Sequence, residues 1–226
     1  MRTLFTVVAA PAFAGVLAAP VAGQMVILQR TTSLLAAAHG LGSDVETGGT
    51  TDLLPFNATV SASVPRGGGV ARQTSSVSPS VISWNLSVGC ATSHGSPMQG
   101  TVTTSGGGES SLEVLFRVDS PATYTLTGLQ YWIPGVSTMT LQRTGPGGPV
   151  TLAQVPGFSG DADYSLSGQL TPGDYRLWVA LSLGGGDGFA GDAGCNGTLT
   201  VVPAPGAAAA LFVASLGLGC ARRRGC

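Results

Sequence analysis

The chain has no lysine, only two histidines, and little charge of either sign: 9 % of its 226 residues are Asp, Glu, Lys or Arg. Between Gln24 and Val202 six arginines face eleven carboxylates, which leaves a net charge of −5. The whole-chain value of −1 hides this, because the other four arginines sit at the two ends. Nucleic acid is held by basic patches, so a mildly acidic body excludes it as a partner. The missing lysine, beside abundant Ala, Gly and Arg, reads as a GC-rich genome rather than as function.

Catalytic and metal-binding signatures are equally scarce. Neither His39 nor His94 stands at a spacing from Cys, Asp or Glu that makes a metal motif, and both read as surface or loop residues. There is no Gly-x-Ser-x-Gly nucleophile elbow. A Ser-His-Asp triad stays open, since its members meet only in space. Asp161, Asp163 and the Gly/Asp stretch holding Asp187 and Asp192 could offer oxygens to calcium, yet the pattern does not repeat and reads as a soluble loop. The expectation is a protein that is not an enzyme and carries no metal or cofactor.

What is present is concentrated first at the two ends. Arg2 precedes an apolar run from Leu4 to Leu17, followed by small residues, which is the order of a secretory signal. Val21 and Gly23 suit the small-residue positions of cleavage, so residues 1–23 are expected to be removed and Gln24 to become the N-terminus. At the other end Pro203-Ala204-Pro205-Gly206 is followed by an apolar stretch to Ala221 and then by Arg222, Arg223 and Arg224. As a helix that stretch would rise roughly 24 Å, short of a hydrocarbon core of about 30 Å. Its arginines would hold it at the cytoplasmic face.

These three ordered parts resemble the PEP-CTERM sorting signal of bacteria, with Ala204 where the family usually has Glu. The resemblance covers residues 203–226. It implies transient insertion in the inner membrane, cutting near the Pro motif by an exosortase, and a setting rich in exopolysaccharide. A sortase signal would need Leu-Pro-x-Thr-Gly, which is absent, and a lipid-anchor signal would end in its apolar tail rather than in arginines.

Residues 24–202 have the length of one domain. Leu112, Val114, Phe116 and Val118 alternate with Glu113, Arg117 and Asp119, and Tyr175, Leu177, Val179, Leu181 and Leu183 form a longer series. Shorter ones contain Tyr124 and Leu126, Met139 and Leu141, Tyr164 to Leu170, and Leu199 and Val201; Phe56 to Val64, Val81 to Val88 and Thr101 to Thr104 are further candidates. Period-two alternation of this kind, broken by Gly/Pro turns such as Thr171-Pro172-Gly173-Asp174, predicts strands. Ser33 to His39, stopped by Gly40, reads as a short helix. The expected fold is all-β, a single jelly-roll-like β-sandwich, flanked by an N-terminal signal helix and a C-terminal hydrophobic helix. Leu112 to Leu183 also resembles bodies found ahead of this tail, through Phe116, Val118, Asp119, Pro121, Tyr124, Leu126, Thr127 and Gly128, then Leu170, Pro172, Gly173, Tyr175 and Leu177. That resemblance implies core and turn positions rather than catalysis.

Cys90 and Cys195 are the two cysteines of the exported body, and an oxidising compartment favours pairing them. Closing a loop of about 100 residues would stabilise the domain by roughly 4–5 kcal/mol in the chain-entropy model. Trp84 and Trp178 read as residues buried between the sheets, whereas Tyr131-Trp132, just before Ile133-Pro134-Gly135, could offer a platform for a sugar ring. The leading expectation is a structural or adhesive protein of the cell surface or extracellular matrix. Its partners would be signal peptidase, an exosortase and an exopolysaccharide. A carbohydrate-binding module is the runner-up, and a secreted hydrolase acting through His94 is third.

Overall fold

The computed structural model describes residues 25–93, 104–131, 136–157, 160–186 and 188–204. The signal segment, the tail from Pro205 onward, His94, Trp132 and Asp187 lie outside the described residues. So do the two helices expected to flank the body.

The described chain is built from twelve strands. The first six are β1 (Met25–His39), β2 (Ser43–Thr50), β3 (Phe56–Val64), β4 (Gly67–Val77), β5 (Val81–Thr92) and β6 (Ser105–Val118). The rest are β7 (Ala122–Tyr131), β8 (Val136–Thr144), β9 (Val150–Val155), β10 (Ala162–Leu170), β11 (Gly173–Gly185) and β12 (Ala190–Pro203). They form two six-stranded antiparallel sheets, ordered β2-β1-β6-β11-β8-β9 and β10-β7-β12-β5-β4-β3, which we term sheet A and sheet B. The alternation read from the sequence sets the layers. Val114, Phe116, Leu177 and Val179 of sheet A face Ile82, Leu86, Leu126 and Leu199 of sheet B in one core. Phe116 and Tyr175 are register partners whose rings stack at 5.5 Å. Gly173, at the entry to β11, takes a φ of 153°, where a side chain would be strained.

The segment from Ser33 to His39 is not a helix but the second half of β1. It is hydrogen-bonded on one side to β2 and on the other to β6. Its alanines favour helix intrinsically, but two ladders and a buried Leu34-Ala36-Ala38 face outweigh that preference. Small residues are needed here because the sheets converge. A Cβ on Gly69 of β4 would sit 2.6 Å from the carbonyl oxygen of Ala37 and would overlap that of Gly107. Backbone meets backbone across a gap that side chains ordinarily fill to about 10 Å. The runs Gly67-Gly68-Gly69 and Gly106-Gly107-Gly108 allow that approach.

A bulge between Ile27 and Gln29 inserts one extra residue into β1. Val26 and Leu28 are left exposed, and the inward face resumes at Arg30, which is fully buried. Met25 N donates to Pro79 O at 2.6 Å and Ala204 N to Pro121 O at 3.1 Å, so both ends of the described body leave at the same pole.

Candidate functional site

The outer faces of the two sheets differ in chemistry. Sheet A carries charge: Arg117 Nε donates to Asp174 Oδ1 at 2.7 Å, and Arg176 Nε to Glu113 Oε1 at 2.5 Å. The Arg117 guanidinium holds the Asp174 carboxyl below its ordinary value. Trp178, expected between the sheets, stands on this outer face, 5.1 Å beneath the Arg176 guanidinium. The reason is parity: Leu177 and Val179 take the inward positions, so Trp178 must point out.

Sheet B is neutral over most of its outer face and ordered in rows. The register aligns Asn57 of β3, Thr74 of β4, Asn85 of β5 and Asn196 of β12. Two residues along the strands, Ser76, Ser83, Thr198, Thr127 and Ser165 form a row of hydroxyls through β4, β5, β12, β7 and β10. Ser76 Oγ and Ser83 Oγ are 2.8 Å apart, a hydrogen bond within that row. The rows stand about 7 Å apart, the distance of two strand residues. Between them lies a groove of about 580 Å³ that runs across the strands and is bounded at its β3 end by Pro55 and Phe56. Gly128 and Gly197 lie on its line, in the row that also holds Ser75 and Trp84. None of the described lining residues is ionisable. Each Asn offers two donors and an acceptor, and each hydroxyl both donates and accepts. The described lining therefore suits a neutral ligand rich in hydroxyls, and none of those residues is a group for acid–base chemistry.

Tyr131, the final residue of β7, lies on this same face. It is the register partner of Gly194, and its ring occupies the space a Cβ there would need. The ring thus lies down on the sheet, two residues along the strand from the Asn196 position. Burial, then the neighbouring Asp192 carboxylate, pushes the Tyr131 hydroxyl up from its ordinary value. Its sequence neighbour Trp132 lies outside the described residues.

Cys90 and Cys195 form no disulfide; both are buried free thiols. They occupy adjacent strands and share the inner face, but Cys90 is the partner of Gly191 while Cys195 is the partner of Leu86. Four register positions separate them, roughly 13 Å along the strand, whereas a disulfide needs Cα atoms within about 7 Å. Cys195 has contacts of its own. Burial pushes its thiol up to about 11, against a smaller opposing pull from the neighbouring Trp84 and Tyr164. Tyr164 reaches over Gly128 and Gly197 to donate to Asn196 O at 2.7 Å.

A second groove, of about 420 Å³, crosses the outer face of sheet A over Gly107 and Gly184. His39 and Glu109 both border it, but Glu109 is the register partner of Leu35. Their backbones are four residues apart, roughly 13 Å, which is beyond hydrogen-bond reach for an acid–base pair. Among the described residues no group of three or more His, Cys, Asp or Glu could hold a metal ion. Compared with known proteins, the chain matches no protein-family model and no curated protein.

Proposed function

We propose that this chain is an exported, non-catalytic protein of the cell surface or extracellular matrix, with a structural or adhesive role exerted by binding a neutral polysaccharide. The observation that carries this reading is the cross-strand groove on sheet B, two rows of amides and hydroxyls with no ionisable lining residue. Sugar hydroxyls donate and accept in the same way as Asn85, Asn196, Ser83 and Thr198, so each contact can be made in either sense. Tyr131 adds an aromatic ring beside the groove, on which the apolar face of a pyranose could rest. A long chain lying across the strands would use many weak contacts at once, which suits adhesion.

Export rests on the sequence ends. Arg2 and the apolar run after it support removal by signal peptidase, and Pro203-Ala204-Pro205-Gly206 with Arg222, Arg223 and Arg224 supports handling by an exosortase. Because both ends of the body emerge at one pole, a membrane-held tail would leave the groove on the flank, open to a matrix. The crossing of β11 between β6 and β8, and of β12 between β5 and β7, fits a jelly-roll-like topology.

Affinity electrophoresis in gels containing soluble neutral polysaccharides tests the binding. Asn85→Arg, which fills the groove with a long charged side chain, should lose at least tenfold in affinity, and Tyr131→Ala several-fold, without change in the thermal midpoint. Binding unchanged in both variants, or hydrolysis of the polysaccharide by the wild type, would overturn the proposal.

A further inference from the structure

The two corners of the sandwich, where an edge of one sheet meets an edge of the other, are built differently. At the first, β2 meets β3. Glu46 Oε2 accepts the backbone N–H of Ser61 at 2.7 Å, and Asp44 Oδ2 accepts that of Ser63 at 2.8 Å. The outward N–H groups of Ser61 and Ser63 on edge strand β3 are thus occupied by side chains from the other sheet, and two carboxylates guard the seam. This is how a protein keeps an edge from pairing with another chain.

At the second corner β9 and β10 are the edges. β10 is paired with β7 alone, over all nine residues and without a bulge. Every second residue of an edge strand turns its N–H and C=O away from the sheet. Among the described residues no hydrogen bond joins β9 to β10; Tyr124 of β7 donates to Leu152 O of β9 at 3.4 Å. β10 contains no Pro, Lys or Arg, and its one charge, Asp163, lies near its start. Leu166 points inward yet is only partly buried. On β9, Val150 is 60 % and Leu152 37 % exposed. The usual protections are absent at this corner, and apolar surface lies beside it.

We infer that the open edge of β10 pairs with β10 of a second copy of this chain, antiparallel, about a two-fold axis at Leu166. The strand is its own complement in that register. Asp163 falls opposite Gln169 of the second copy, and Ser165 opposite Ser167 of the second copy, so no like charges meet. The axis stands perpendicular to the sheet, so the two B faces lie on the same side of a twelve-stranded sheet and present their grooves together. This inference stands on the edge alone and does not depend on what the groove binds.

Sedimentation of the exported protein over a concentration series, with site-directed cross-linking, tests it. The wild type should sediment as a dimer that dissociates on dilution. Ser165→Lys with Ser167→Lys sets like charges opposite one another only in the pair, and should weaken the dimer more than tenfold. Thr125→Lys on β7, on the same face but away from the edge, should not. A mixture of Asp163→Cys and Gln169→Cys proteins should be linked by a short bis-maleimide, and neither alone beyond the wild type. A wild type that stays monomeric up to about 100 μM, well above the Kd of specific pairs, would overturn the inference. So would a dimer that survives the paired lysines, or equal linking of the single variants.

Discussion

The guanidinium of Arg30, with none of its side chain open to solvent, places Nη2 3.0 Å from Oδ1 of Asp52, a residue whose own side chain is 58 % exposed. A charge buried between the sheets is therefore neutralised from a surface loop. Desolvation lowers the affinity of Arg30 for its proton, and Asp52 opposes that effect. Asp52 is itself held in place, accepting from the Thr50 hydroxyl at 2.9 Å and from Leu54 N at 3.0 Å.

Removing the carboxylate leaves the arginine buried and unpaired. Asp52→Ala should cost about 2–3 kcal/mol, below what breaking a fully buried pair costs, because water already reaches Asp52. Arg30→Met in the same background should recover part of that loss, since a chain of similar length then fills the site without charge. Urea unfolding of the two variants checks both statements. A loss below about 0.5 kcal/mol for Asp52→Ala, the scale of an ordinary surface substitution, would show that the pair is not what holds Arg30.

The convergence of the sheets makes a second expectation. Gly69→Ala should destabilise by about 1–3 kcal/mol, because the added methyl meets the carbonyl oxygens of Ala37 and Gly107 and neither backbone can yield alone. Gly147→Ala, in the connection between β8 and β9, meets nothing within 4 Å and should be neutral or slightly stabilising. Thermal midpoints of the two variants, measured side by side, distinguish a packing requirement from a general dislike of lost glycine.

Two buried thiols predict a third result. In native protein Cys90 and Cys195 should resist alkylation at neutral pH, and both should react once it is unfolded, without prior reduction. The Cys195 thiol sits at about 11 in the fold against an ordinary 9.0. A raised acid group favours the folded state fully while both states hold the proton, and that contribution is lost as pH rises from about 9 towards 11. Cys195→Ala should therefore flatten the decline of stability over that alkaline window. Intact-mass analysis after alkylation, with unfolding curves at pH 8 and pH 10.5, provides the check.

Much of this architecture was legible along the chain. Hydrophobic alternation marks β6, β7, β10 and β11, because one face of each strand must be dry, and Tyr175 and Phe116 were readable as core on that ground. On β5 only the strand itself, Val81 to Val88, was readable, and on β12 only the pair Leu199 and Val201. The groove was not, since it exists only where β5 and β12 lie side by side, and their neighbourhood is set by pairing across about a hundred residues. Composition misled over Ser33 to His39, where propensity points to helix and tertiary pairing makes strand. Cysteine count misled over Cys90 and Cys195, because count and compartment say nothing of register, and a shift of four residues is enough to forbid the bond. What the sequence determined by itself is the class of structure and the dry apolar positions of β6, β7, β10 and β11, both local consequences of side-chain order. Which strands are neighbours, which edge is sealed by Asp44 and Glu46, and which edge stays open at β10 were decided only by the tertiary structure, because each depends on residues brought together from distant parts of the chain.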